Sequence, residues 1–229
     1  MALYFDGANS SYAAQISEQL TTNWGPIGAI TPELPGNIVP YVESYEIKGH
    51  LAVRETQRAL DLMRRSWGWY LNNPYGTGST ILEGYYEDGS FRYANDGYDS
   101  SGSYPSHAHG WSTGPTDALI SYVVGLRPTA PGGSKWTLAP QFGDLTDAQG
   151  GFTTPLGKFS ATWKLQPGGY ILGFDVPVNS TGTLVLPSGS KQPQIHWNGH
   201  ANINSVFDSL TRLTTVYIPG GKQILRIIY

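Results

Sequence analysis

The chain has 229 residues, a formal net charge of −3 and only 14% Asp, Glu, Lys and Arg, against roughly 25% in ordinary soluble proteins. That balance leaves no basic footprint for nucleic acid. The absence of cysteine excludes disulfides, thiol nucleophiles and cysteine-ligated metals, and no apolar run reaches the length, about 18 residues, that spans a membrane.

What is abundant instead is Gly (29), Pro (16), Tyr (15) and Trp (7), the profile of a loop-rich protein that handles polar, uncharged ligands. The opening residues, MALYFDGANSS, have neither a positive segment nor a long apolar core, and read as the interior of a domain rather than a signal peptide. N-x-S/T sequons at Asn9 and Asn179 are compatible with a secretory route.

Helical spacing dominates the first half. Tyr12, Ile16, Leu20 and Trp24 fall on one face of a first predicted helix, with Ser10 or Ser11 as its cap. Residues 27–40 are punctuated by proline and predict a loop. After Pro40 a second helix is expected to turn Val42, Tyr45, Gly49 and Ala52 inward, leaving Glu43 and Glu46 on a solvated face. In a third, Val53, Leu60, Met63, Trp67 and Tyr70 recur at helical steps until Asn72-Asn73-Pro74 stops the pattern. Of Trp67 and Trp69, the former lies on the Leu60/Met63 face and the latter on the other side. A fourth helix opens at Pro115 and is expected to bury Leu119, Tyr122 and Val123. Tyr4, Phe5 and the region of Trp67 and Trp69 read as surfaces that expect a neighbour.

From Pro131 the period falls to two. Phe159, Ala161, Trp163 and Leu165 alternate with polar residues, as do Tyr170, Leu172, Phe174 and Val176. Further strands are expected over 136–139, 183–186, 194–197, 215–218 and 223–229, separated by glycine turns. Many short strands predict an antiparallel β-sandwich. The chain divides on this reading into a helical part, 1–127, and a β part, 128–229, joined by a proline-stiffened link.

Between the third and fourth helices lies a segment, 79–116, too polar and too rich in glycine and aromatics to be a packed element. Loops of that length are functional or disordered, and the aromatics argue against disorder. It holds Glu83 beside Ile81-Leu82, and a His107-Ala108-His109-Gly110-Trp111 cluster. On local sequence alone Glu83 is an exposed loop glutamate, and Glu87, Asp88, Asp96 and Asp99 are solvated acids. His109 and Trp111 suit either sugar contact or local packing. His107 and His109 stand two apart without a supporting motif, so no metal is assigned.

Five strings together resemble the fungal branch of the α-L-rhamnosidases of glycoside hydrolase family 78: ISEQLTTNWGPIGAITPELPGNI, TQRALDLMRRSWGWYLNNP, ILEGYYEDGSF, SHAHGWSTGPTDALISYVVGL and FGDLTDAQGGFTTPLGKFSATWK. The resemblance implies an α+β multidomain protein: the last helical hairpins of a partial (α/α)6 toroid, followed by the β-sandwich. It accounts for helices too few to close a core. It further implies an enzyme that hydrolyses terminal α-L-rhamnosides with inversion and uses no cofactor. Two carboxyl groups roughly 6.5–9.5 Å apart serve such a reaction, one protonating the leaving oxygen and one activating water.

The resemblance assigns the water-activating role to Glu83, partly desolvated by its apolar neighbours, and sugar contacts to His109 and Trp111; Trp69, near a helix end that points toward the same mouth, and Tyr85, beside Glu83, are further candidates for substrate contact. An indole offers a flat face to the C–H edges of a deoxysugar. The family's general acid belongs to a motif in the earlier half of the toroid, which this sequence does not contain. The partners implied are a rhamnose-containing glycoside and the missing N-terminal half of the toroid, and the full-length family member is expected outside the cell. Two other readings stand beside this one: a non-catalytic carbohydrate-binding module using Trp136, Trp163 and Trp197 of the β-sandwich or the aromatic loop, and a truncated product without independent activity.

Overall fold

The structure, a computed structural model, describes residues 1–93, 105–198 and 203–229 and the backbone of 200–201. The chain forms two compact units, Met1–Ala118 and Leu119–Tyr229. Asp96 and Asp99 lie outside the described residues.

The first unit is helical. Helix α1 (Ala13–Leu20) is followed by a small hairpin of β1 (Trp24–Gly25) and β2 (Gly28–Ala29). A Ser10 or Ser11 cap does not form; the Asn9 carboxamide oxygen instead accepts from the N–H and hydroxyl of Ser11 and organises the entry turn. Within α1 only Ser17 is buried, and Tyr12 points outward. Strand β3 (Asn37–Ile38) leads into α2 (Pro40–Ala52), which opens with proline at the first helical position.

The face that α2 buries is not the expected one. Glu43, Ser44, Ile47, Gly49, His50 and Leu51 are buried, whereas Val42 is exposed and Ala52 lies on the surface. The buried stripe carries polar side chains, so apolar spacing selects the wrong side. Glu43 and Glu46 are therefore not a solvated pair. Glu46 accepts from the Trp24 indole at 2.6 Å and lies 3.4 Å from His50 Nε2, while His50 Nδ1 meets the Ser17 hydroxyl at 2.7 Å.

Helix α3 (Thr56–Met63) continues through a wide π-turn, Arg64–Gly68, into α4 (Trp69–Leu71). The i→i+5 turn shifts the angular register and places both Ser66 and Trp67 inside. Leu60, Met63, Trp67 and Tyr70 form the expected buried face, and Val53 caps the preceding helix instead. Trp67 does not await a neighbour: its indole donates to the Ser112 carbonyl at 2.6 Å. Strand β4 (Tyr85–Tyr86) pairs with β3, and α5 (Gly114–Ala118) ends the unit. No helix among the described residues is long and apolar enough to cross a membrane.

The second unit begins with another π-turn, Leu119–Val124, which buries Val123 and Val124 but leaves Leu119 exposed. Its strands are β5 (Leu126–Pro128), β6 (Lys135–Leu138), β7 (Asp147–Thr154), β8 (Gly157–Gln166), β9 (Gly169–Pro187), β10 (Gln194–Trp197), β11 (His200–Ala201), β12 (Val206–Asp208) and β13 (Leu213–Ile228). They make one mixed sheet, not two separate antiparallel sheets: β6 runs parallel to β9. Residues 170–176 and 183–186 belong to a single long strand, as do 215–218 and 223–228.

The leading half of β9 pairs with β8 and the trailing half of β13; its trailing half pairs with β6 and the leading half of β13. A bulge between Pro219 and Gly221 marks the bend. There a Cβ on Gly220 would lie 2.1 Å from the Pro177 carbonyl oxygen, so the close approach requires glycine. The two halves fold onto a common core, with Trp136 of β6 against Phe174 of β9 at a ring separation of 5.0 Å. Trp136 and Trp163 are core residues whose indoles donate to the Ser180 hydroxyl and the Val123 carbonyl. Neither offers a face to a glycan, and Trp197 is half-buried with its indole on Gln223.

Candidate functional site

Glu83 lies on a segment that pairs, antiparallel, with the segment carrying the two loop histidines. The Glu83 N–H donates to the Ser106 carbonyl at 2.8 Å, the His109 N–H to the Ile81 carbonyl at 2.8 Å, and the Thr80 hydroxyl to the His107 carbonyl. The Glu83 carboxylate in turn accepts the Ser106 N–H at 3.1 Å. Backbone pairing thus joins the segment of the acid to the one that leads into the His109-Gly110-Trp111 run.

The apolar neighbours of Glu83 in the chain are buried. Leu82 and Tyr85 are fully buried and Ile81 nearly so, while Glu83 itself is half-buried. Tyr93 packs so tightly over Gly84 that a Cβ there would sit 2.5 Å from its ring. Burial, with the Glu83 charge nearby, raises the Tyr93 phenol above its ordinary range.

The expected sugar contacts fall into two aromatic clusters. Trp69 stacks on Tyr85 with ring centroids 4.7 Å apart, and Phe91 bridges from Trp69 to His107 at 6.2 and 5.5 Å. His109 and Trp111 form the other cluster, 6.0 Å apart, with Tyr41 at 5.4 Å from Trp111 and Tyr45 beyond it. His107 and His109 thus fall in different clusters.

Exposure divides the candidates further. Trp111 is 71% exposed and lines a concavity of about 410 Å³ with Phe5, Tyr41, Tyr45 and the Lys48–Asp117 ion pair, whose charged atoms are 2.8 Å apart. Trp69 and His109 are half-buried. Tyr85 is wholly buried, with its hydroxyl engaged by the Ile27 carbonyl and Ser66, so it supports Trp69 from below and offers no face of its own. Among the described residues no group of three His, Asp or Glu side chains is placed to hold a metal.

Sequence reasoning missed the buried acid behind this wall. Glu43 Oε1 accepts the Ala29 N–H at 2.7 Å, and Oε2 lies 2.6 Å from the Ser66 hydroxyl, which is 2.9 Å from that of Tyr85. Burial pushes the Glu43 carboxyl up to about 8. The signal available was the stripe Glu43, Ile47, His50, Leu51, at helical spacing but half polar. The second unit has its own open trough of about 700 Å³, floored by Gly151 and Gly173 and edged by Gln149, Thr162, Asp175 and Lys222.

Residues 125–200 match the family described as the bacterial alpha-L-rhamnosidase C-terminal domain. The structure is similar to that of an α-L-rhamnosidase from Dictyoglumus thermophilum, with a TM-score of 0.66 and 15% identity over 83% of this chain and 21% of that one. Similar too is the native enzyme of Aspergillus terreus, at 0.66 and 20% identity over 99% of this chain and 23% of that one. The Streptomyces avermitilis α-L-rhamnosidase complexed with L-rhamnose matches at 0.60 and 20% identity, over 80% and 17% of the two chains. No curated protein matches the sequence. At these identities the likeness to solved structures is one of fold, and bacterial and fungal proteins share it, so no fungal type is singled out. The chain spans about a fifth of the length of the structures it matches. It thus resembles a C-terminal part of an α-L-rhamnosidase, with that family's C-terminal domain signature over 125–200.

Proposed function

We propose that the first unit carries the water-activating half of an inverting α-L-rhamnosidase site and belongs to the last hairpins of an (α/α)6 toroid. Glu83 is the general base. His109 donates to a sugar hydroxyl, Trp111 and Trp69 present flat faces to the 6-deoxy edge, and Tyr85 props Trp69. The general acid comes from polypeptide outside these 229 residues.

The observation that carries this reading is the setting of Glu83. A carboxylate that is to take a proton from water has to be held in place, partly shielded, and close to sugar-binding groups. The Ser106 N–H holds it, it is half-buried between the buried Leu82 and Gly84, and the Ile81–His109 backbone pairing ties its segment to the one that carries the imidazole. The match to a protein solved with L-rhamnose supports the choice of sugar.

The test is hydrolysis of α-L-rhamnosyl fluoride, whose leaving group needs no protonation, so that it reports the base alone. The chain is expected to release L-rhamnose of inverted anomeric configuration, and Glu83→Gln to lower the rate by a factor on the order of 10²–10⁴. Undiminished hydrolysis by Glu83→Gln removes the assignment; a wild-type chain that neither hydrolyses the fluoride nor binds L-rhamnose removes the reading for this polypeptide.

The trough of the second unit favours one further reading, a carbohydrate-binding surface of polar side chains over a glycine floor. Saturable binding to rhamnose-bearing glycans that Thr162→Trp abolishes and Glu83→Gln leaves intact would establish it.

A further inference from the structure

Behind the proposed site, four oxygen atoms stand in a row inside the first unit. Glu43 Oε2 is 2.6 Å from Ser66 Oγ, Ser66 Oγ is 2.9 Å from Tyr85 Oη, and Tyr85 Oη is 2.8 Å from the Ile27 carbonyl oxygen. Glu43 and Ser66 are each 1% exposed and Tyr85 is fully buried, so exchange with solvent does not explain the contacts. Each is of hydrogen-bond length and needs a proton between its two oxygens.

The protons can be counted. A serine hydroxyl and a phenol bring one each, and a backbone carbonyl brings none. Three contacts therefore need a third proton, and only the Glu43 carboxyl can hold it. With Glu43 ionised, either the Ser66–Tyr85 or the Tyr85–Ile27 contact would set lone pair against lone pair in a dry interior. With Glu43 protonated, every contact is filled in one direction: Glu43 Oε2–H donates to Ser66, Ser66 to Tyr85, and Tyr85 to the Ile27 carbonyl. The remaining Glu43 oxygen accepts the Ala29 N–H at 2.7 Å.

We infer that Glu43 is a neutral carboxylic acid that positions Tyr85, and through it the Trp69 face and the Glu83 segment. Tyr85 stacks under Trp69 at 4.7 Å and lies two residues beyond Glu83, so the chain fixes the depth of both. Gly28 keeps the space open: a Cβ there would come within 2.8 Å of Glu43 Oε1 and 3.2 Å of Tyr85 Oη. The raised Glu43 carboxyl, at about 8, agrees with the count. The titratable groups bearing on it are Glu46 on its own helix, whose charge also disfavours ionisation, and Tyr85 from β4. The hairpin and the π-turn contribute the uncharged Ala29 N–H and the Ser66 hydroxyl. Only the catalytic consequence rests on the proposed role of Glu83; the protonation state and the effect on Trp69 do not.

Linkage fixes the sign. The folded-state value, about 8, lies above the ordinary 4.5, so the contribution to stability is full below about pH 4.5 and lost as pH rises through about 8. A glutamine makes every bond that the protonated acid makes. Glu43→Gln is therefore expected to fold normally, and its melting temperature relative to wild type should climb steadily from about pH 5 to about pH 9.

Infrared difference spectra of the wild-type chain should show a protonated carboxyl C=O band at pH 7, absent from Glu43→Gln. Tryptophan emission should titrate near pH 8 in wild type, and lose that step in both Glu43→Gln and Trp69→Phe. A Glu43→Gln chain that unfolds at neutral pH, a pH-independent melting difference, or no carboxyl band at pH 7 overturns the inference. These readouts involve no substrate, so inactivity toward a rhamnoside tells against the proposed site and leaves this inference standing.

Discussion

Glu83 and Ser106 hold each other twice, the Glu83 N–H on the Ser106 carbonyl at 2.8 Å and the Ser106 N–H on the Glu83 carboxylate at 3.1 Å. One residue thereby has both its backbone and its side chain locked to the neighbouring segment. Truncation and isosteric replacement should separate cleanly. Glu83→Ala strands the Ser106 N–H and is expected to cost about 1–2 kcal/mol in denaturant unfolding, whereas Glu83→Gln keeps an acceptor and should cost less than about 0.5 kcal/mol. Equal losses for the two variants would show that the bond contributes nothing.

The two indoles of the proposed site should answer differently to truncation. Trp111 is 71% exposed, so Trp111→Ala is expected to leave stability within about 0.5 kcal/mol while weakening L-rhamnose binding several-fold by calorimetry. Trp69 is half-buried on Tyr85, and Trp69→Ala should lower both stability, by about 2–3 kcal/mol, and binding. Unchanged binding in both variants would exclude the aromatic faces from the site.

In the second unit the tightest approach to a ring is at Gly182, where a Cβ would lie 2.3 Å from the Trp136 indole. Trp136 is 1% exposed and tethered to Ser180 at 2.9 Å, so it cannot swing aside without giving up that bond. Gly182→Ala is expected to destabilise by at least about 1–3 kcal/mol, read as a lower thermal midpoint. Gly168→Ala tests backbone strain without crowding: its φ is +77° and a Cβ would meet nothing within 4 Å. It should cost about 1 kcal/mol.

Where burial followed apolarity, the fold was legible. The Leu60, Met63, Trp67, Tyr70 stripe, the alternation of Phe159, Ala161 and Trp163 along β8 and that of the first half of β9 stand in the structure as they read in the sequence, whereas Leu165, near the end of β8, is exposed. Helix α2 was not legible, because its inner face carries Glu43 and His50, side chains buried only because Ser66, Ala29 and Ser17 wait for them. Those partners come from residues far along the chain, which local periodicity does not sample. The Pro219-Gly220-Gly221 run looks like a turn in sequence; in the structure it is a bend within a continuous strand. The loop histidines were legible as a pair, but their division between two aromatic clusters depends on Phe91 and Tyr41, which no spacing rule links to them.

The bent β9–β13 pair has a dynamic consequence. Each strand serves both halves of the sheet, so neither half can detach without breaking the ladder that holds the other. Amide protons on either side of the bend, such as those of Leu172 and Leu184, should exchange with deuterium only through one shared opening of the whole unit. Partners as distant in sequence as Gly169 and Ile228 must also meet before that ladder closes, so the unit should be slow to refold for its size.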